Sequence, residues 1–302
     1  MDKRKDDSIM KEFDIKVNGE SIHGFKWGDP TMPHVLCLHG LTNNALGFNE
    51  MAEVLKEDFH LISIDLPGHG KTIGFNDEQS YFYDSMSEWV HNFISCVSNS
   101  PVYIIGHSWG AAIALHYSKR YPHMVNGIVM LDGGYVELSD DPSTTLEDLL
   151  SEMSEWVNGN QFSSIKEYED KKRVEIGRWS SAIEQMVHAD MTIESNKVRM
   201  KASEDTVRAI MKAMYMEPFR EVLNEVDAPV YLLRATQPPE GEAVRNEGAD
   251  LLRAELKGEC RISPIPETGH VLHWQKPVEV NQEVKSWLTA QNNHQVYEHN
   301  PR

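Results

Sequence analysis

Cysteine is scarce. Three residues (Cys37, Cys96, Cys260) in a chain of 302 are odd in number and far apart, so they build no disulfide framework. Lying mostly in apolar segments, they read as buried free thiols in a reducing compartment. There is no CxxC and no HExxH, which leaves a zinc site without support. No run approaches the ~18 apolar residues a bilayer span requires. The opening MDKRKDDSIM has basic residues but no apolar stretch behind them, so no signal peptide is expected. Basic side chains are also in deficit: 29 Lys and Arg against 47 Asp and Glu leave a net charge of −18. Nucleic acid and anionic membrane surfaces need a cationic face, so neither is an expected partner. The expectation is a cytoplasmic protein with no metal and no cofactor, its oligomeric state left open.

With 40% hydrophobic residues the chain can bury a large core. Eight short β-branched runs stand out: FDIKV (13–17), SIHGFKW (21–27), HVLCL (34–38), HLISID (60–65), PVYIIG (101–106), GIVMLD (127–132), PVYLLRA (229–235) and CRISPIP (260–266). An Asn18-Gly19 turn signal joins the first two as an antiparallel hairpin. The later runs are apolar on both faces, as parallel strands covered by helices must be. Helical patterns lie between them, among them Phe82, Met86, Trp89, Val90, Phe93, Ile94 and Val97, and later Val280, Val284, Trp287 and Leu288. Alternation of this kind predicts an α/β fold with a doubly wound, mostly parallel, eight-stranded sheet.

The rhythm breaks between about 135 and 225, where the pattern is almost entirely helical. Leu146, Leu149, Leu150, Met153 and Val157 make one stripe, and Val207, Ile210, Met211 and Met214 another. Pro142 marks the start of the first helix and Pro218 interrupts the last. The expected division is a core at 10–134 and 226–291, a helical cap at 135–225, and frayed termini at 1–9 and 292–302.

The chemistry concentrates in Gly106-His107-Ser108-Trp109-Gly110. It follows an apolar strand and precedes the small-residue helix beginning Ala111-Ala112, the strand–turn–helix context of a nucleophile elbow. Ser108 is the candidate nucleophile, raised above the sheet on a strained turn. Two backbone N–H groups are candidate oxyanion donors: Trp109 at the helix start, and Leu41 in the His39-Gly40-Leu41-Thr42 loop. Asp65, in Asp65-Leu66-Pro67-Gly68-His69-Gly70, reads as a structural acceptor for loop N–H groups. Of fourteen histidines, His270 follows the last strand on a Gly-bearing loop and so suits the base, with His273 as fallback. His107, next to the serine, should point away from it.

HGLT, DLPGHGKT, GHSWGA and ETGHVLHWQKP, spread from residue 39 to 277, make the chain resemble the α/β-hydrolase superfamily. The similarity is to its capped branch of small bacterial esterases, cofactor-free haloperoxidase-like hydrolases and C–C bond hydrolases. The resemblance implies Ser108 as nucleophile, His270 as base, and oxyanion donors at Leu41 and Trp109. A serine in the elbow disfavours the relatives that use aspartate.

The acid departs from the family's usual place. The loop after PVYLLRA reads Thr236-Gln237-Pro238-Pro239-Glu240-Gly241-Glu242 and holds no aspartate. Some relatives carry the acid after the strand that follows the nucleophile helix, where Asp132 stands. Asp132 is preferred because a strand end holds a carboxylate more rigidly than a Pro-Pro loop, with Glu240 next, and then Glu242 or no acid, as alternatives.

Seven of the fourteen methionines (Met153, Met186, Met191, Met200, Met211, Met214, Met216) fall in the inserted region with Trp156 and Trp179, which suits a permissive apolar acyl pocket. The expected activity is hydrolysis of small apolar acyl esters through an acyl-enzyme. A lactonase, thioesterase or C–C bond hydrolase would share this core. A hydrolase-like sensor with little turnover is the alternative from another class.

Overall fold

A computed structural model describes residues 10–140 and 144–298. The expectations for residues 1–9, for Pro142 and for 299–302 lie outside these residues. In chain order the elements are β1 (Lys11–Val17), β2 (Glu20–Trp27), β3 (His34–Leu38), α1 (Asn49–Leu55), β4 (His60–Ile64), α2 (Tyr83–Val97), β5 (Val102–His107), α3 (Trp109–Arg120) and β6 (Val125–Leu131). An inserted stretch follows with α4 (Leu146–Gly159), β7 (Gln161–Phe162), α5 (Ile165–Ile176), α6 (Ser181–Ala189), β8 (Met191–Glu194), β9 (Lys197–Met200) and α7 (Glu204–Met216). The chain then completes β10 (Val230–Ala235), α8 (Glu242–Glu255), β11 (Cys260–Ile265), α9 (Leu272–Gln275) and α10 (Pro277–Glu298).

All eight apolar runs are strands of one sheet, ordered β1-β2-β4-β3-β5-β6-β10-β11. The β1–β2 hairpin turns at Asn18 and Gly19, whose φ values of 52° and 91° suit the twist of the two strands. β2 runs antiparallel to β4, and every later pairing is parallel. Alternate side chains feed two cores. Leu36, Ile104 and Leu232 pack on one face with Met86, Phe93 and Ile113, from α2 and α3. Val35, Tyr103 and Leu233 pack on the other with Met51, Leu55 and Val284, from α1 and α10. Strands buried on both faces are why their sequences read as unbroken apolar runs. After β3 the chain moves outward to β4, then returns to the other side of β3 as β5. The β3–β5 junction is therefore the sheet's topological switch point, where open α/β sheets bind ligands.

Four features differ from expectation. The inserted stretch is not purely helical: β7, β9 and β8 form a small antiparallel sheet. Strands of two and four residues are too short for a period-2 pattern to stand out, and the Ser195-Asn196 turn that joins β8 to β9 carries positive φ without glycine. The helix α10 runs through 292–298, where fraying was expected. Polar contacts anchor it there, since Gln295 accepts from Tyr103 Oη at 3.3 Å and donates to the Asn126 carbonyl at 3.4 Å. All three cysteines are free, yet Cys37 alone is buried: Cys96 is exposed and Cys260 intermediate. Pro218 does not interrupt a helix; α7 has already ended at Met216.

The two predicted stripes of the insertion do meet. Leu149 of α4 packs against Val207 and Met211 of α7, with Leu41 from the core loop at the edge of the same cluster. Capping fixes where these helices start. Thr145 and Asp148 form a reciprocal capping box on α4, and Ser203 caps α7.

Candidate active site

Ser108 sits between the end of β5 and α3 with φ 53° and ψ −118°, a conformation costing of order 1–3 kcal/mol for a residue with a side chain. Its neighbours must be glycine for steric reasons. A Cβ at Gly106 would lie 2.5 Å from Ala111 Cα, and one at Gly110 would lie 2.1 Å from the Leu38 carbonyl oxygen. A Cβ at Gly133, in the loop after β6, would lie 2.3 Å from Ser108 Cα. The turn is thus clamped on three sides, and Ser108 faces a cavity of about 740 Å³.

His270 Nε2 stands 2.9 Å from Ser108 Oγ, and His270 Nδ1 stands 2.8 Å from Asp132 Oδ2. With Nδ1–H donating to the carboxylate, Nε2 is left free to accept the serine proton. Asp132 is 8% exposed. Its other oxygen accepts from the Ala235 amide at 2.8 Å and from Tyr135 Oη at 2.7 Å. Burial pushes this carboxyl up, but the bonds from His270, Ala235 and Tyr135 outweigh it and hold it below the ordinary range. The group therefore stays ionised.

The two candidate donors for an oxyanion flank the serine. Trp109 is the first residue of α3, so its N–H has no acceptor within the helix. A Cβ at Gly40 would come within 2.9 Å of Ser108 Cβ, which places the Gly40-Leu41 backbone against Ser108. Among the described residues neither the Leu41 nor the Trp109 amide bonds to protein.

Two buried histidines hold this loop. His39 donates from Nδ1 to the Gly40 carbonyl and accepts the Leu66 amide on Nε2. His69 donates to the Pro67 carbonyl and accepts the Thr42 amide. Each ring therefore needs one protonated and one bare nitrogen. Burial keeps them neutral, pushed down to about 4 for His39 and about 3 for His69. Asp65 accepts from the Ala45 and Lys71 amides and from His23, the structural part read for it in the sequence.

The remaining candidates fall elsewhere. His107 turns away from Ser108 Oγ and donates through Nε2 to the His270 carbonyl at 3.0 Å. His273 is buried behind the site, stacked on Phe48 and 4.6 Å from His107 between ring centroids, while Ser108 Oγ bonds to His270 instead. Glu240 lies exposed on a 3-10 turn, and Glu242 is bonded to Arg234 and Arg245; neither reaches His270. Of the seven methionines in the insertion, Met211 and Met214 line the cavity, while Met186 and Met200 pack in the core.

Two contributors were not read from the sequence. Tyr135 carries a signal only in retrospect, as an aromatic hydroxyl three residues after Asp132. Gln275 accepts the Gly269 amide at 2.7 Å and so pins the His270 loop. Among the described residues, one group has metal-ligand spacing, Glu169, Glu184 and His188 on α5 and α6. It lies away from the triad cavity, and His188 is already paired with Glu169 at 2.5 Å.

Comparison with known proteins places the chain in a family. A serine hydrolase-like protein of Danio rerio is 31% identical over 165 residues, covering 54% of this chain. The chain spans 48% of that protein's length. The (E)-2-((N-methylformamido)methylene)succinate hydrolase of Acinetobacter baylyi is 22% identical over 90% of this chain and 95% of its own. The solved structure of E-2-(acetamidomethylene)succinate hydrolase superposes with a TM-score of 0.75 at 18% identity, covering 93% of this chain and all of that one, a likeness of fold. The profile of the alpha/beta hydrolase fold matches residues 33–277, and the chain belongs to that family.

Proposed function

We propose that this protein is a serine hydrolase that cleaves small carboxylic esters through an acyl-enzyme, with Ser108, His270 and Asp132 as its triad. The observation that carries the reading is the unbroken chain of hydrogen bonds from Ser108 Oγ through His270 to Asp132, at 2.9 and 2.8 Å. His270 removes the Ser108 proton as Oγ attacks the ester carbonyl, and the imidazolium so formed is stabilised by Asp132. The Leu41 and Trp109 amides meet the tetrahedral oxyanion, where each preorganised donor contributes about 3–4 kcal/mol to the transition state. His270 then protonates the leaving alkoxide. Water, deprotonated by the same imidazole, releases the acid and restores Ser108.

Leu138, Met211 and Met214 offer the acyl group an apolar wall, which supports an apolar small-molecule substrate. No described helix is long and apolar enough to cross a membrane. Free cysteines fit a cytoplasmic setting, which we include in the same proposal.

The test is a panel of short and long acyl esters, lactones and thioesters, assayed on wild type and Ser108→Ala, with fluorophosphonate labelling of both. Ester turnover and labelling that vanish together in Ser108→Ala are expected. Turnover that survives the substitution overturns the mechanism, and stoichiometric labelling without turnover replaces it with the sensing alternative.

A further inference from the structure

A charge imbalance lies beside the cavity, at the lining residue Arg245 and its neighbour Arg234. Arg234 and Arg245 are only 9% and 12% exposed, and they share a single carboxylate. Glu242 Oε1 accepts from Arg234 Nη2 at 2.9 Å, and Glu242 Oε2 accepts from Arg245 Nη2 at 3.2 Å and Nε at 3.4 Å. Their other acceptors are neutral: the Ala235 carbonyl and Asn246 Oδ1 for Arg234, and the Pro238 carbonyl for Arg245. Two largely buried guanidiniums therefore face one anion, and an uncompensated buried charge is costly. The chain has 47 acidic residues against 29 basic, so the shortage of a counter-ion is local to this arginine pair.

Arg245 is the one Lys or Arg among the residues lining the cavity that holds Ser108 and His270. Its described hydrogen bonds use Nε and Nη2 and leave Nη1 without a protein acceptor. The cavity's own carboxylates do not fill the vacancy. Asp132 is committed to His270, Tyr135 and Ala235, and Glu267 pairs with Lys276 at 3.4 Å.

We propose that this cavity takes an acyl compound bearing a carboxylate away from the scissile bond, with the Arg245 guanidinium as its counter-ion. The inference rests on the serine-hydrolase reading above and names its substrate class. A guanidinium held by Glu242 is preorganised, and its fork matches a carboxylate in shape as well as charge. The apolar wall at Leu138, Met211 and Met214 then receives the chain that links the two ends.

Mono-p-nitrophenyl adipate and p-nitrophenyl hexanoate differ chiefly in one terminal carboxylate, so the ratio of their kcat/KM values reads the contact. Wild type should favour the adipate ester. Arg245→Gln should lower that ratio at least tenfold, mainly through KM, and Arg245→Lys should fall between. Glu242→Gln, which frees the positive charge, should raise the ratio. An unchanged ratio in Arg245→Gln, or an equal loss on both esters, overturns the role of Arg245. Absence of turnover on both esters with Ser108 unlabelled by fluorophosphonate would instead overturn the hydrolase reading beneath it.

Discussion

Asp132, at the end of a core strand, and Asp190, where the insertion meets the core, are buried to a similar depth, at 8% and 5% exposure. Their acidities part. Asp132 is held below the ordinary range, whereas Asp190 is pushed up to about 7. Burial drives both upward; what differs is the company. Asp132 gathers an imidazole N–H, a backbone amide and a tyrosine hydroxyl, while the described hydrogen bond of the Asp190 carboxyl is the Asn44 side-chain amide at 2.8 Å. A buried carboxyl stays ionised only where several donors, one able to carry charge, converge on it. The strand ends supply such donors because β6 and β10 are neighbours, so an amide from one meets a side chain from the other. The junction with the insertion supplies fewer.

The comparison breaks most sharply if the carboxylate at the strand end is made neutral. In Asp132→Asn the amide donates to His270 Nδ1, the proton moves to Nε2, and the imidazole can no longer accept from Ser108. We expect kcat to fall about 10⁴-fold, the cost of a wrong imidazole tautomer in serine proteases. Measured kcat on the best ester and the rate of fluorophosphonate labelling should drop together. An unimpaired Asp132→Asn beside an inactive Glu240→Gln would move the acid to the Pro-Pro loop.

A smaller effect is expected one layer behind. His107 is fully buried, kept neutral well below its ordinary value by that burial, and donates to the His270 carbonyl. It joins the serine strand to the histidine loop. His107→Leu should let the imidazole drift and lower kcat by about 10²-fold, the scale of a misplacement of about 1 Å, with KM little changed. His107→Gln, whose amide can still donate to that carbonyl, should recover most of the loss. Equal impairment in both variants would mean that volume, not the hydrogen bond, matters there.

The same contrast separates what was legible in the sequence from what was not. Ser108 and its glycines are written locally, because a strained turn between strand and helix admits few residues. The eight strands were legible for a related reason: buried on both faces, they can hardly be anything but apolar. The position of His270 followed from chain order. Which carboxylate faces it did not, since Asp132 and Glu240 both follow strands and differ in where neighbouring backbone amides point. The part played by Tyr135 depends on a loop path that no local pattern records. In the insertion the two helical stripes were readable, but β7 to β9 are too short for a period-2 pattern to stand out, and the last turns of α10 are held by tertiary contacts at Gln295.

Stability against pH should carry the difference between the two regions with opposite signs. His39 sits at about 4, and His69 and His273 at about 3, all pushed down by burial from the ordinary 6.5. Between pH 6.5 and about 4 the unfolded chain takes up protons that the folded core refuses, so these groups cost stability as pH falls. Asp190 acts the other way. With a folded value of about 7 against an ordinary 3.8, it keeps its proton where the unfolded chain releases one, so its contribution is lost as pH rises from about 4 to 7. Asp190→Asn removes that loss while retaining an oxygen to accept from Asn44. Its Tm relative to wild type should therefore climb across that window and level off above it, by a few °C for each kcal/mol involved. Thermal melts of both proteins from pH 4 to 8.5 measure the gap directly. Parallel curves would show that Asp190 is ionised at neutral pH like Asp132, which would require a donor at the junction strong enough to offset burial there as well.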